Sequence, residues 1–290
     1  MGEVYLAVLD RGGFQKPVAL KTMLPTLCGN RAFLERFETE AAIAARLNHA
    51  NIVQIFDHGC IDGTAYLVME LVEGPDLSRL MQHNGKLPPE AVAELGLQLC
   101  RALAHAHTRK DLSGRLCPVV HGDISPSNIM VSPEGQAKLA DFGIARMLDE
   151  NPCGKGTLIA GKTRYMSPEQ ARGGELGPAS DIYSLALVLV EALSGTNPVP
   201  EVPDAARALE LAARGLEQPQ DILAELCPPE WAQVLAPCLE RNPERRVGSA
   251  LELARRISER LQPGGPEELA RLVEEATGGQ AALQVSQKTL

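Results

Sequence analysis

An α+β chain in two unequal parts is what the sequence predicts, on three observations. About the first 70 residues alternate apolar and polar side chains at period two, interrupted by one helical stretch. After Gly74-Pro75 the apolar spacing lengthens to that of helices. Apolar residues make up 44% of the 290 and charged residues 22%, enough to build a sizeable core. That length fits two domains or one large two-lobed unit.

In Glu3–Leu9, Val4, Leu6 and Val8 share one face of a strand. Asp10–Pro17 contains Gly12-Gly13 and reads as a hairpin turn, with Val18–Leu24 as the returning strand. Asn30 is a plausible N-cap for a helix reaching to about Leu47. Phe33, Phe37, Ala44 and Leu47 fall on its buried stripe, and Glu40 sits on the same stripe. Ile52–His58 and Thr64–Leu71 form a second strand pair around Asp62-Gly63. Helical spacing then governs Pro89–Thr108, Ser180–Ser194, Asp204–Arg214, Trp231–Glu240, Ala250–Leu261 and Pro266–Ala276. Val119–Pro178, between the first two of these, consists of short strands and loops. Thr108–Pro118 carries no motif, and the tail from Gly278 is polar and frayed. The division expected is residues 1–73, 74–264 and a terminal helix and tail over 265–290.

Composition removes several classes of function. The net charge of −9, from 28 basic and 37 acidic residues without a dense Lys/Arg tract, argues against nucleic acid and anionic membrane surfaces. Aromatic residues, at 3%, are too few for base-stacking platforms. The longest apolar run, within Ser184–Leu193, is broken by Glu191 and far too short to span a bilayer. Charges at Glu3, Asp10, Arg11 and Lys16 leave no signal core. Seven widely spaced cysteines without a C-x-x-C pair suit reduced thiols in a cytoplasmic protein.

The chemistry lies in a few constellations. A carboxylate on a buried stripe is costly unless a cation meets it, and the nearest cation to Glu40 in the pattern is Lys21, on the strand beginning at Val18. For that pair alone, a structural ion pair or a Glu at the stripe's edge would suffice. Downstream, Val120-His121-Gly122-Asp123-Ile124-Ser125-Pro126-Ser127-Asn128-Ile129-Met130 places an Asp and an Asn in one turn after an apolar strand. Ala140-Asp141-Phe142-Gly143 follows. Any one of these could be a turn residue capping its own backbone. Together, two carboxylates and an amide form a hard-oxygen set suited to Mg2+ completed by substrate phosphates.

In this order the motifs resemble those of the protein kinases, specifically the bacterial eukaryotic-like (Hanks-type) Ser/Thr protein kinases. The resemblance runs from Gly2 to about Leu261. It implies a two-lobed fold, with a small antiparallel sheet and one helix in the N-lobe and a larger helical C-lobe. It implies ATP and Mg2+ as cofactors, protein substrates with Ser or Thr acceptors, and a role in signalling. Val18-Ala19-Leu20-Lys21 is similar to V-A-I-K, so Lys21 would hold the α- and β-phosphates with Glu40 as its partner. Met69-Glu70-Leu71-Val72 is similar to the hinge that reads adenine, with Met69 as gatekeeper; Gly2, Val4, Ala19, Glu70, Val72 and Met130 complete the nucleotide-lining set. Asp123 matches the catalytic-loop Asp, and Asn128 and Asp141 match the Mg2+ ligands. Ser167-Pro168-Glu169 is similar to A-P-E, Arg246 to the partner of Glu169, and Asp181 to the brace of the catalytic loop. Asp181 also suits the helix dipole as a first-turn residue.

Three departures carry information. Met1-Gly2-Glu3-Val4 is similar to only the last part of G-x-G-x-x-G-x-V, with Gly2 as the third glycine. Two explanations follow, a start assigned to an internal Met of a longer protein or a genuinely truncated protein; the first is the expectation, and translating the upstream DNA tests it. Gly122 stands where the family has the Arg that pairs with a phosphorylated activation loop, which predicts weak dependence on such phosphorylation, although Thr157 and Thr163 remain possible acceptors. Ser125 stands where the family has a Lys that touches the γ-phosphate, and Lys162 stands where it has a Thr. These exchanged residue types predict a swap in which Lys162 supplies the cation and Ser125 the hydroxyl. Two other functions fit part of the pattern: a small-molecule phosphotransferase of the same fold, which shares H-G-D, and a nucleotide-binding scaffold without turnover.

Overall fold

A computed structural model gives the fold and describes residues 3–23, 31–110, 113–142 and 160–278. Gly2, Thr157 and the N-cap expected at Asn30 lie outside them. The N-terminal part is a four-stranded antiparallel sheet. β1 (Glu3–Arg11) and β2 (Phe14–Thr22) form a hairpin whose turn, Gly12-Gly13, requires positive φ at both positions. α1 (Arg31–Ala44) follows, then β3 (Ile55–Ile61) and β4 (Thr64–Glu70) around Asp62-Gly63, again with φ positive at both residues. The strand order is β1-β2-β4-β3. Lys21 faces Val4 across one ladder and Leu67 across the other, and Ala19 faces Leu6 and Met69. Phe37, Ala41, Ala44 and Leu47 turn α1 and its C-terminal turn inward.

The larger part is mainly helical. α2 (Leu77–Asn84) and α3 (Pro89–His107) precede the hairpin β5 (Ile129–Val131) and β6 (Ala137–Leu139). Two short helices, α4 (Ala160–Thr163) and α5 (Pro168–Ala171), lead into α6 (Pro178–Ser194), which is buried along nearly its whole length. α7 (Ala205–Arg214), α8 (Pro219–Leu226), α9 (Pro229–Leu235), α10 (Ala250–Arg260) and α11 (Pro266–Thr277) complete the chain. One continuous core joins Met23, Phe37 and Leu67 of the sheet part to α3, α6 and α10. Gly96 on α3 allows a close approach there, since a Cβ would lie 3.0 Å from Ile257 of α10.

The structure corrects several boundaries. The strand expected from Ile52 starts at Ile55, because residues 51–53 pair elsewhere: Val53 N donates to Leu139 O and Leu139 N to Asn51 O. The helix expected over Trp231–Glu240 starts at Pro229 and tightens into a 3-10 turn at Ala236–Cys238, where Pro237 has no N–H to continue the helix. α2 is an addition to the expected set, although its Asp76 cap, Leu77, Leu80 and terminal Gly85 are legible afterwards. No helix among the described residues is long and apolar enough to cross a membrane.

Candidate active site

The catalytic-loop candidate is held from beneath by α6. Asp181, in the first turn of α6 and 1% exposed, accepts from His121 N through Oδ2 and from Gly122 N through Oδ1, each at 2.8 Å. His107, at the end of α3, lies 2.8 Å from the same Oδ2 through Nε2, and its Nδ1 is buried without a partner. The carboxylate thus takes three donors. Gly122 has φ +72, a conformation that side chains strain to adopt. Its carbonyl accepts from Gln170 Nε2 of α5 at 2.8 Å, which ties the loop to the segment after Ser167-Pro168-Glu169.

His121 is fully buried and bridges two motifs. Its Nδ1 accepts from Asp123 N at 3.2 Å, so the ring proton is on Nε2, which donates to Ala140 O at 2.9 Å. Its ring lies 4.5 Å from that of Phe142. Asp123 and Asp141 are thereby spaced through one imidazole. Asn128, in a 3-10 turn after Pro126, donates from Nδ2 to Asp123 O and to Asp123 Oδ2, at 2.8 and 2.7 Å.

Each of the two carboxylates meets a lysine. Lys21 Nζ is 2.6 Å from Asp141 Oδ2, and Lys162 Nζ is 2.7 Å from Asp123 Oδ2. Burial alone would raise the Asp141 carboxyl, but Lys21 beside it, helped by Lys162 and His121, holds it below its ordinary value. Asp141 itself has φ +65, strained for any residue with a Cβ. The expected Lys21–Glu40 pair is therefore not formed. Glu40 is half-buried and has no ion pair among the described residues, while the Lys21 ammonium is taken up by Asp141.

Ser125 is buried, its Oγ 3.1 Å from Ser127 Oγ, and it takes no part in the Lys162 contacts. Thr163, an acceptor considered from sequence, is fully buried with its hydroxyl unpartnered. Val4, Ala19 and Met69 lie on neighbouring strands of the sheet, and Met130 lies on β5. Glu70, where β4 ends, binds Lys138 of β6 at 2.9 Å, and Val72 O accepts from Gly74 N. Glu169 and Arg246 form a two-point pair, both contacts at 2.7 Å, and Ser180 Oγ adds a third to the carboxylate. Burial opposes ionisation of Glu169, but these donors lower its pKa to about 2.

Sequence reasoning missed the roles of His107, His121 and Gln170. His121 was legible as part of its motif. His107 and Gln170 reach their partners across 74 and 48 residues, without a local signal.

Comparison with known proteins agrees with this architecture. The model of the protein kinase domain matches residues 1–257. The chain belongs to the protein kinase family. Among its relatives, the Serine/threonine-protein kinase PknA of Mycobacterium tuberculosis is 37% identical over 254 residues, covering 86% of this chain and 56% of PknA. Tyrosine-protein kinase MasK of Myxococcus xanthus is 36% identical over 255 residues, covering 86% of this chain and 39% of MasK. The crystal structure of the Mycobacterium tuberculosis PknI kinase domain superposes with a TM-score of 0.67 at 28% identity, covering 90% of this chain and 91% of that one. This kinase chain is thus of the bacterial Hanks type and spans roughly half the length of the curated relatives it matches.

Proposed function

We propose that this kinase domain transfers the γ-phosphoryl group of ATP, with Mg2+, to Ser or Thr hydroxyls of protein substrates. The observation that carries this is the convergence of Asp123, Asn128 and Asp141, with an ammonium already seated on each carboxylate. Cations are what these oxygens attract. No cluster of three or more His, Cys, Asp or Glu among the described residues would cage a metal alone. A carboxylate and an amide oxygen, completed by phosphates and water, is the environment Mg2+ favours. Asn128 and Asp141 would hold it, and it would neutralise charge developing on the phosphates.

In this mechanism the acceptor oxygen attacks the γ-phosphorus in line, and its proton passes to Asp123. The bond to the β–γ bridging oxygen breaks, and its electron pair leaves on ADP. Lys21, released from Asp141, turns to the α- and β-phosphates, where Glu40 becomes available to pair with it. Asp181, His107 and Gln170 keep the loop backbone fixed, so that Asp123 need not reorganise during transfer. Glu169 with Arg246 anchors the segment on which a protein substrate would rest, which favours a protein over a small-molecule acceptor.

Incubation with labelled ATP and Mg2+ tests this. Asp123→Asn and Asp141→Asn should each lower autophosphorylation about 100-fold or more. Incorporation that both variants match would refute catalysis and leave a nucleotide-binding scaffold. Because one relative is named a tyrosine kinase and others Ser/Thr kinases, phosphoamino-acid analysis of the product decides the acceptor; phosphotyrosine alone would overturn the Ser/Thr assignment.

A further inference from the structure

Phosphoryl transfer beside Asp123 poses an electrostatic problem that the loop carrying it does not solve. A γ-phosphate must come close to this carboxylate, and two anions repel unless a cation stands between them. Val119–Val131 contains neither Lys nor Arg. Lys21 serves the other carboxylate, Asp141. The ammonium that reaches Asp123 comes instead from α4, 39 residues away: Lys162 Nζ lies 2.7 Å from Asp123 Oδ2 and 3.3 Å from Asn128 Oδ1.

The segment bearing Lys162 is anchored immediately after it. Arg164 Nε donates to Val199 O at 2.9 Å, and Tyr165 donates from its hydroxyl to Glu191 Oε2 on α6 at 2.6 Å. Asn197 Nδ2 supports the same Glu191 oxygen at 3.1 Å. Lys162 is thus a flexible side chain on a fixed base, one-fifth exposed at the edge of the cleft.

We propose that Lys162 is a catalytic cation of the transfer step, neutralising Asp123 and donating to Asn128 Oδ1 in the nucleotide-free protein, and moving onto the γ-phosphate oxygens when the Mg2+-nucleotide binds. This rests on the phosphotransferase function proposed above. Lys162 remains protonated throughout: the acceptor proton goes to Asp123, the new O–P bond forms, and the bridging oxygen leaves with ADP. The charge that the catalytic loop lacks is delivered by the activation segment, Asp141–Glu169, so the position of Lys162 on that segment sets the electrostatics of transfer without any phosphate on it.

Two readouts on Lys162→Met and Lys162→Arg test this. The first is the transfer rate at saturating ATP. The second, independent of turnover, is the ratio of affinities for the non-hydrolysable analogue AMP-PNP and for ADP in Mg2+, since only the former carries a γ-phosphate. Lys162→Met should lower the rate by roughly 10²–10³. It should also reduce the preference for AMP-PNP about tenfold while leaving ADP affinity near wild type, which verifies folding. Lys162→Arg, which retains the charge, should keep most of both. Wild-type rate or an unchanged AMP-PNP preference in Lys162→Met would overturn the proposal. A wild-type chain that transfers nothing would overturn the phosphotransferase function, and the step given to Lys162 with it. Equal transfer by wild type and Lys162→Met would overturn Lys162 alone.

Discussion

At the scale of single residues, the position of one ammonium decides how the nucleotide-free site is arranged. Lys21 sits on Asp141, so Glu40 adds little to the stability of this state. Glu40→Gln should change the unfolding free energy of the nucleotide-free protein by less than about 0.5 kcal/mol, measured in urea. Lys21→Met should act on Asp141 in the opposite sense to the present pairing. Burial then goes unopposed by the nearest cation, and the Asp141 carboxyl rises from its depressed position. The sign of the linked stability follows. A depressed carboxylate contributes stability above its unfolded value and loses it as the pH falls through the folded value, and Lys21→Met should remove that acid-side dependence. Carboxyl NMR titration of both proteins would check it; an unmoved Asp141 contradicts the pairing. The sequence made Lys21, Asp123, Asn128 and Asp141 legible because short motifs fix their local geometry. It could not decide which carboxylate Lys21 meets, because that depends on where α1 sits against the sheet.

Among the elements, the ones that could be read in advance are those whose periodicity is local. The hairpins turned on Gly12-Gly13 and Asp62-Gly63, and α3, α6, α7, α10 and α11 followed their apolar spacing. The start of β3 was misread because residues 51–53 alternate like a strand but spend their backbone bonds on β6. The side chain behind that exchange is Gln98 of α3. It accepts from Asn51 Nδ2 and Ala137 N, and donates to Glu94 and Gly135 O, all while buried. Gln98→Leu strands several buried polar groups at once and should cost about 3 kcal/mol or more. A loss below about 1 kcal/mol in denaturant titration would mean that water replaces these bonds. Glu169 on α5 makes a comparable tie to Arg246. Its contribution is fully present above about pH 4.5 and lost as the pH falls toward about 2. Arg246→Ala leaves that carboxylate buried beside Ser180 without its cation and should cost about 3–5 kcal/mol. It should also move acid unfolding to higher pH; an unchanged acid midpoint would show that the pair does not set it.

For the whole molecule, the question is what holds the two parts in working register without a phosphorylated activation segment. Among the described residues, the links between them include Lys21 to Asp141, Lys138 to Glu70, Arg109 Nη1 to Ile43 O, Asn51 Nδ2 to Gln98, and the pairing of residues 51–53 with β6. Around the site, Gly122 provides no cation to receive a phosphate, yet its backbone is held on both sides by Asp181 and Gln170. Lys162, Arg164 and Tyr165 tie the far end of the activation segment to Asp123, to the loop after α6 and to α6 itself. Each tie uses unmodified side chains bonded to one another or to backbone, and Thr163 is buried where a modifying enzyme could not reach it. In family members with an Arg at the position of Gly122, a phosphate supplies the missing bond between loop and segment; here carboxylate, amide and ammonium already supply it. Phosphatase treatment should therefore leave transfer to an added substrate within about threefold of the untreated rate. Gln170→Leu, by freeing the Gly122 carbonyl, should lower kcat more than it raises KM for ATP. Loss of most activity on dephosphorylation, rescued by rephosphorylation, would show that the segment is not self-supporting and that an unrecognised cation reads the phosphate.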